Sequence, residues 1–262
     1  MAPQYGYRPD PPKVPGEKPD RSFSLDLAPR LTIGVGDSDL RPFCTVQDQY
    51  DIGSCAGNAT ADSVEILNAV QGLPPVQLSR LFVYSMARNL EQTFPRDDGT
   101  HLRTCFQILS TLGICREDLA MGAGGWPYDT SKVDVLPDMM AMRAATGHRI
   151  HSYYRITEEG QARIEAMKQA LLSKHPIAFG TQINRAFKKI SDLTPWKVPT
   201  DTLLGGHAMV VVGHIQGLGF LVKNSWGPEW GEGGFCVMDE EIFLWEMTHD
   251  LWVPTLGMGF KP

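Results

Sequence analysis

The thiol of Cys55 stands in QYDIGSCAGNA, residues 49–59, between a Gly-Ser pair and a run of small residues. A cysteine at a helix N-terminus faces backbone N–H groups that lack an intrahelical partner, and the positive end of the helix dipole. Both favour thiolate, the nucleophilic form of the side chain. The small neighbours Gly53, Ser54, Ala56 and Gly57 leave room for a second backbone to approach. Three other readings compete: a buried packing residue, half of a disulfide, or a metal ligand. There are five cysteines (Cys44, Cys55, Cys105, Cys115, Cys236), so at least one is unpaired within the chain. No Cys-x-x-Cys pair and no Cys/His cluster at zinc spacing is present, which weakens the bridge and metal readings. On this stretch alone, packing stays ahead of nucleophile.

A thiol nucleophile needs a base, and the base needs an orienter. GGHAMVVVG, residues 205–213, puts His207 at the start of an apolar strand after two glycines. A histidine there can face a cleft while the strand anchors it; a lone one is more often a buried, hydrogen-bonded residue. FLVKNSWGPEWG, residues 220–231, puts Asn224 after the following strand. Its amide oxygen can orient an imidazole, and Trp226 can cover that bond. A covered hydrogen bond is stronger because the local dielectric is lower. The plain alternative is a turn with a core tryptophan. Together the three segments fit the logic of an activated thiol.

The elements that must position these groups follow from the apolar pattern. Helices are expected from Cys55 to about Val70 with Ser54 as cap, after Ser79 along RLFVYSMARNLE, over about 101–112, and along GQARIEAMKQALLSK. The second half turns to short apolar runs broken by turn residues: PIAFGTQI, HAMVVVGHI, GFLVKNSW, GGFCVM and DLWVP. These predict antiparallel strands of a sheet or barrel. LTIGV (31–35) is a further strand candidate. The expected class is α+β, a helical lobe followed by a β lobe, with a cleft between them.

Composition narrows the function classes. The chain has 262 residues, 42% hydrophobic and 21% charged, with net charge −6 and no dense Lys/Arg run. That fits a globular protein and speaks against a nucleic-acid footprint. No apolar run reaches membrane-spanning length, and the start has no apolar signal core, so a cytoplasmic protein without a membrane partner is expected. No cofactor is implied. Six of the first twenty residues are proline. They read as an extended arm, ordered only if it docks on the body.

The three motifs, in this order, resemble the papain-like cysteine peptidases, from DLRPF (39–43) to DLWVP (250–254). DQYDIGSCAGNA resembles the family's nucleophile segment, GGHAMVVVG its histidine strand, and KNSWGPEWGEGGF its asparagine–tryptophan segment. LSRLFVY and WPYD (126–129) resemble connecting segments. The resemblance implies a two-lobe fold, with a helical lobe carrying the cysteine and an antiparallel β-barrel carrying the histidine and asparagine. The chain is expected to divide into a proline-rich arm over 1–40 and a catalytic domain over 41–262, mainly helical to 130 and mainly β beyond. Cys55 would be the nucleophile, His207 its ion-pair partner and general acid, and Asn224 the orienter of His207. Gln49 would join the Cys55 N–H in an oxyanion hole. Gly99, Thr100, Leu102, Ala208 and Trp226 would line the cleft for a polypeptide substrate. The chain departs from the family at Ala56, where many members carry tryptophan, and at Ile52, where many carry a bridged cysteine. The usual long pro-region is absent, so the arm is a candidate occluder of the cleft. The same thiol chemistry would also serve a peptide ligase, thioesterase or cyclase.

Overall fold

The computed structural model describes residues 5–32 and 36–257. Part of LTIGV lies outside the described residues. The strands are β1 (Tyr7–Arg8), β2 (Ser38–Asp39), β3 (Thr100–His101), β4 (Ser152–Arg155), β5 (Ile177–Asn184), β6 (Leu203–Ile215), β7 (Gly219–Lys223), β8 (Phe235–Met238) and β9 (Thr248–Thr255). The helices are α1 (Cys55–Val70), α2 (Arg80–Leu90), α3 (Leu102–Thr111), α4 (Met139–Ala145), α5 (Gly160–Leu172) and α6 (Glu240–Leu244).

Helix α1 is the pivot of the molecule. It is buried from Cys55 to Asn68, which its small residues permit. A Cβ at Gly57 would fall 2.8 Å from the Arg80 carbonyl oxygen, so glycine lets α2 cross closely there. Helix α2 starts where expected, with Ser79 Oγ accepting from the Phe82 N–H at 3.1 Å.

The sheet explains why HAMVVVG reads as a continuous apolar run rather than an alternating one. Along β6, Ala208, Val210 and Val212 enter one core with α1 to α3, while Met209 and Val211 enter a second core with α5 and α6. Side chains alternate as the pleat requires, and both faces are covered. Every pair in this sheet is antiparallel, in the order β4-β9-β5-β6-β7-β8, with β2 also on β6. The expected barrel closure is not seen: among the described residues, the pairing runs from β4 to β8 as an open path. Phe23, fully buried, and Leu27 join the second core beside Tyr154, so the second half of the expected arm over 1–40 is woven into the β side.

Candidate active site

Cys55 is the first residue of α1 and is fully buried. Ser54 occupies the cap position, but its hydroxyl does not cap. Instead Ser54 Oγ pairs with Tyr128 Oη at 2.5 Å and accepts from Asn58 Nδ2 at 2.9 Å. The backbone N–H groups of Ala208, Gly6, Ala56 and Cys55 converge on the thiol.

His207 lies on β6 opposite Thr181, beside Ala208. Its Nε2 meets Asn224 Oδ1 at 2.7 Å. The Ser225 N–H also donates to that Asn224 atom, at 2.8 Å, which identifies it as the oxygen. His207 Nε2 therefore carries the hydrogen, and Nδ1 presents a bare lone pair. Nδ1 is buried and has no hydrogen-bond partner. The Trp226 ring stacks on the imidazole at 4.6 Å between centroids and 27°. Phe187 closes the same wall edge-on, 5.5 Å from Trp226 and 6.3 Å from His207. Phe187 was not visible as a site residue in the sequence; its local signal is Asn184 three positions earlier, whose Oδ1 accepts the Phe187 N–H at 2.9 Å and sets the turn.

Gln49 is held from several sides. Its Oε1 accepts from Ser225 Oγ at 2.7 Å, which fixes the amide, and Nε2 donates to Ile52 O at 3.0 Å. Its own N–H donates to Ser225 O at 2.8 Å. The Gln49 amide is thus tied to the Asn224–Trp226 segment and to the loop before Cys55.

Burial works against both charges of the ion pair expected between Cys55 and His207. Burial, against the four converging N–H groups, pushes the Cys55 thiol up to about 11. Burial likewise lowers His207 to about 4, against the Asn224 hydrogen bond. Both shifts favour the uncharged forms, thiol and neutral imidazole. Desolvation penalises both charges when water is excluded.

Water is excluded by the chain's own start. Strand β1 lies parallel to β3, pairing Tyr7 with Thr100, and the Thr100 N–H donates to Gly6 O at 2.8 Å. A Cβ at Gly6 would fall 1.7 Å from the Gly53 carbonyl oxygen, and one at Gly99 (φ +76°) 2.1 Å from Gly6 O. Of the cleft residues expected, Gly99, Thr100 and Ala208 therefore meet the arm or the thiol. Thr100 offers only its backbone, since its Oγ1 turns inward to Glu91 Oε1 at 2.7 Å. Leu102 is fully buried in the first core, with Tyr7 and Ala208.

A charged cluster missed in the sequence joins the lobes. Lys223, one residue before Asn224, has a fully buried side chain paired with Asp62 of α1. Its Nζ also donates to Gln47 Oε1 at 3.0 Å. Glu65, one turn on, accepts from Gln47 Nε2 at 3.1 Å and from the Leu78 N–H at 2.6 Å. Burial, then the Asp62 charge, pushes Glu65 up to about 8. Asp62 and Glu65 three apart on a buried helix were the available signal.

Known proteins resemble this chain in sequence and fold. Residues 37–251 fit the family model described as papain family cysteine protease. The chain belongs to the papain family. A peptidase C1-like protein of Acanthamoeba polyphaga mimivirus is 31% identical over 257 residues, covering 90% of this chain and 80% of its own. Xylellain, a cysteine protease from Xylella fastidiosa, superposes with a TM-score of 0.79 at 27% identity, covering 97% of this chain and 96% of its own. Procathepsin L 3 of Tenebrio molitor shares the fold at TM-score 0.66 and 19% identity, over 90% of this chain and 76% of its own. Papain-family membership makes cysteine peptidase activity the family-level assignment. Among the described residues no helix is long and apolar enough to cross a membrane, and no cluster of three or more His, Cys, Asp or Glu is gathered to hold a metal.

Proposed function

We propose that this papain-family chain is a cysteine endopeptidase whose resting form is closed by its own arm. The observation that carries the chemistry is the His207–Asn224 bond under Trp226, which leaves the Nδ1 lone pair bare next to the residue whose N–H faces Cys55. In the open form, Nδ1 takes the Cys55 proton and the thiolate attacks the scissile carbonyl carbon. The oxyanion is held by the Cys55 N–H and the Gln49 amide. His207 returns the proton to the leaving amine nitrogen, and a water, deprotonated by His207, hydrolyses the thioacyl-enzyme.

The arm supports the endopeptidase reading, because extended backbone runs past Cys55 with chain on both sides. It offers the thiol the Gly6 N–H, a donor, rather than a carbonyl carbon, which supports a restraint instead of a substrate. All five cysteines are free, which supports a reducing compartment such as the cytoplasm.

The test is a peptide library given to full-length protein and to Cys55→Ala. Internal cleavage should fall roughly 10⁴-fold or more in the variant. Removal of end residues only would reject the endopeptidase, and products joined to an added amine would favour the transferase chemistry. Turnover that survives Cys55→Ala would sink the reading.

A further inference from the structure

Tyr7 is an aromatic side chain of the arm with its ring enclosed, 4% exposed, one residue along from the N–H that faces Cys55. The slot around it is made by missing side chains. A Cβ at Gly180 would fall 2.0 Å from the ring atom Cζ, and one at Gly206 3.0 Å from Cδ1. At the blind end, Tyr7 Oη donates to Asp250 Oδ2 at 2.6 Å. Burial and the Asp250 charge keep that phenol protonated, a donor.

Asp250 is aimed into the slot by its backbone. It lies on β9 where the register with β5 slips between Ala178 and Gly180, and it holds a φ of +59°. Bulges re-aim side chains beside functional sites, and a non-glycine residue in the left-handed region persists only where its surroundings impose it. Asp250 Oδ1 is taken by the Arg155 guanidinium at 2.5 Å. Oδ2 is taken by two donors, both from the arm: Tyr7 Oη and the Asp10 N–H at 2.7 Å. When the arm leaves, Oδ2 loses both while Arg155 stays. What remains is a ring-sized, glycine-walled slot with an acceptor at its floor.

We propose that this slot selects the substrates of the enzyme, that it takes a tyrosine side chain, and that Asp250 is the specificity-determining residue. The proposal rests on the peptidase reading above. Phenylalanine fills the slot but leaves Oδ2 without a donor, and a site built to bond a hydroxyl rejects the analogue lacking it. A cationic side chain meets Arg155, and with the arm gone Asp20 no longer balances Arg155 and Arg103, which it now pairs at 3.3 and 2.9 Å.

Full-length Tyr7→Ala empties the slot and leaves Cys55, His207 and Asn224 in place. With peptides varied at each position before the scissile bond, one position should prefer tyrosine over phenylalanine at least about tenfold in kcat/KM, and over arginine as well. Asp250→Asn, whose side chain also tolerates the left-handed backbone, exchanges the charged acceptor for a neutral amide and should lower the tyrosine to phenylalanine ratio several-fold. Gly180→Ala should close the slot to rings and shift that position to small side chains. Equilibrium binding of the same peptides to the Cys55→Ala/Tyr7→Ala chain should rank them identically without any turnover, so the pocket is read even if the peptidase assignment fails. A ranking with arginine first, or one that neither Asp250→Asn nor Gly180→Ala changes, would make the slot an anchor for the arm and overturn the proposal.

Discussion

Two buried charge clusters flank the cleft, and they differ in what they join. Lys223, Asp62 and Glu65 tie β7 to α1, two parts of the permanent body, and the Lys223 side chain is fully enclosed. Asp250 and Arg155 tie the sheet to Tyr7, Asp10 and Asp20 of the arm. Beyond Asp10, residues 11–19 are all exposed. Both clusters gain geometric definition from charge. The first is also clamped by two packed lobes, whereas the second holds the two ends of a segment that is exposed between them. A buried charged joint is therefore fixed or reversible according to what packs around it, not according to its own strength.

Four changes break or sharpen that contrast. Lys223→Met leaves Asp62 buried without its partner and should cost about 3–5 kcal/mol of stability in urea unfolding. Adding Asp62→Leu should restore much of it, and an unchanged midpoint in the single variant would refute the joint. Arg155→Ala acts on the other cluster. It removes a charge-assisted bond and should speed iodoacetamide labelling of Cys55 about tenfold, or ~1.4 kcal/mol, with a smaller effect on unfolding. Labelling at the wild-type rate would mean that the arm is held elsewhere.

The third change is of pH. Burial, then the neighbouring Asp250 charge, raises Asp10 from 3.8 to about 7, against the Arg103 and Trp252 hydrogen bonds. The docked arm thus binds a proton that the free arm does not. Its docking is fully supported below about pH 4 and is weakened as pH rises through about 7. The hydrogen-exchange protection factor of the Thr100 amide, which donates to Gly6 O, should fall across this window and should flatten in Asp10→Asn. Rising protection with pH would reverse the sign. Last, Arg96→Ala removes an ion pair with Asp98 whose side chains are 65% and 53% exposed. It should shift stability by less than about 0.5 kcal/mol and leave labelling unchanged.

Much of this architecture is legible in the sequence because it is local. Helix α1 and strands β5 to β9 follow the apolar runs; Cys55 opens α1 and Asn224 follows β7, whereas His207 stands four residues inside β6 rather than at its start. Side-chain contacts tie His207 to Asn224 and Trp226, and Gln49 to Ser225. The reading of Ser54 as a cap failed because Tyr128, far along the chain, takes its hydroxyl. Burial, which local sequence does not reveal, works against the ion pair expected of Cys55 and His207. Tyr7 meets Asp250 across 243 positions, and no local pattern announces such a contact. Closure of the sheet was equally beyond reach, since register between distant strands decides it.

At position 6 the arm and the body touch backbone to backbone, with space for a hydrogen atom and nothing larger. On the proposed reading, the closed form thus depends on a missing carbon. Alanine there should lift the arm from the body by a single methyl group, while Cys55 and His207 stayed as they were.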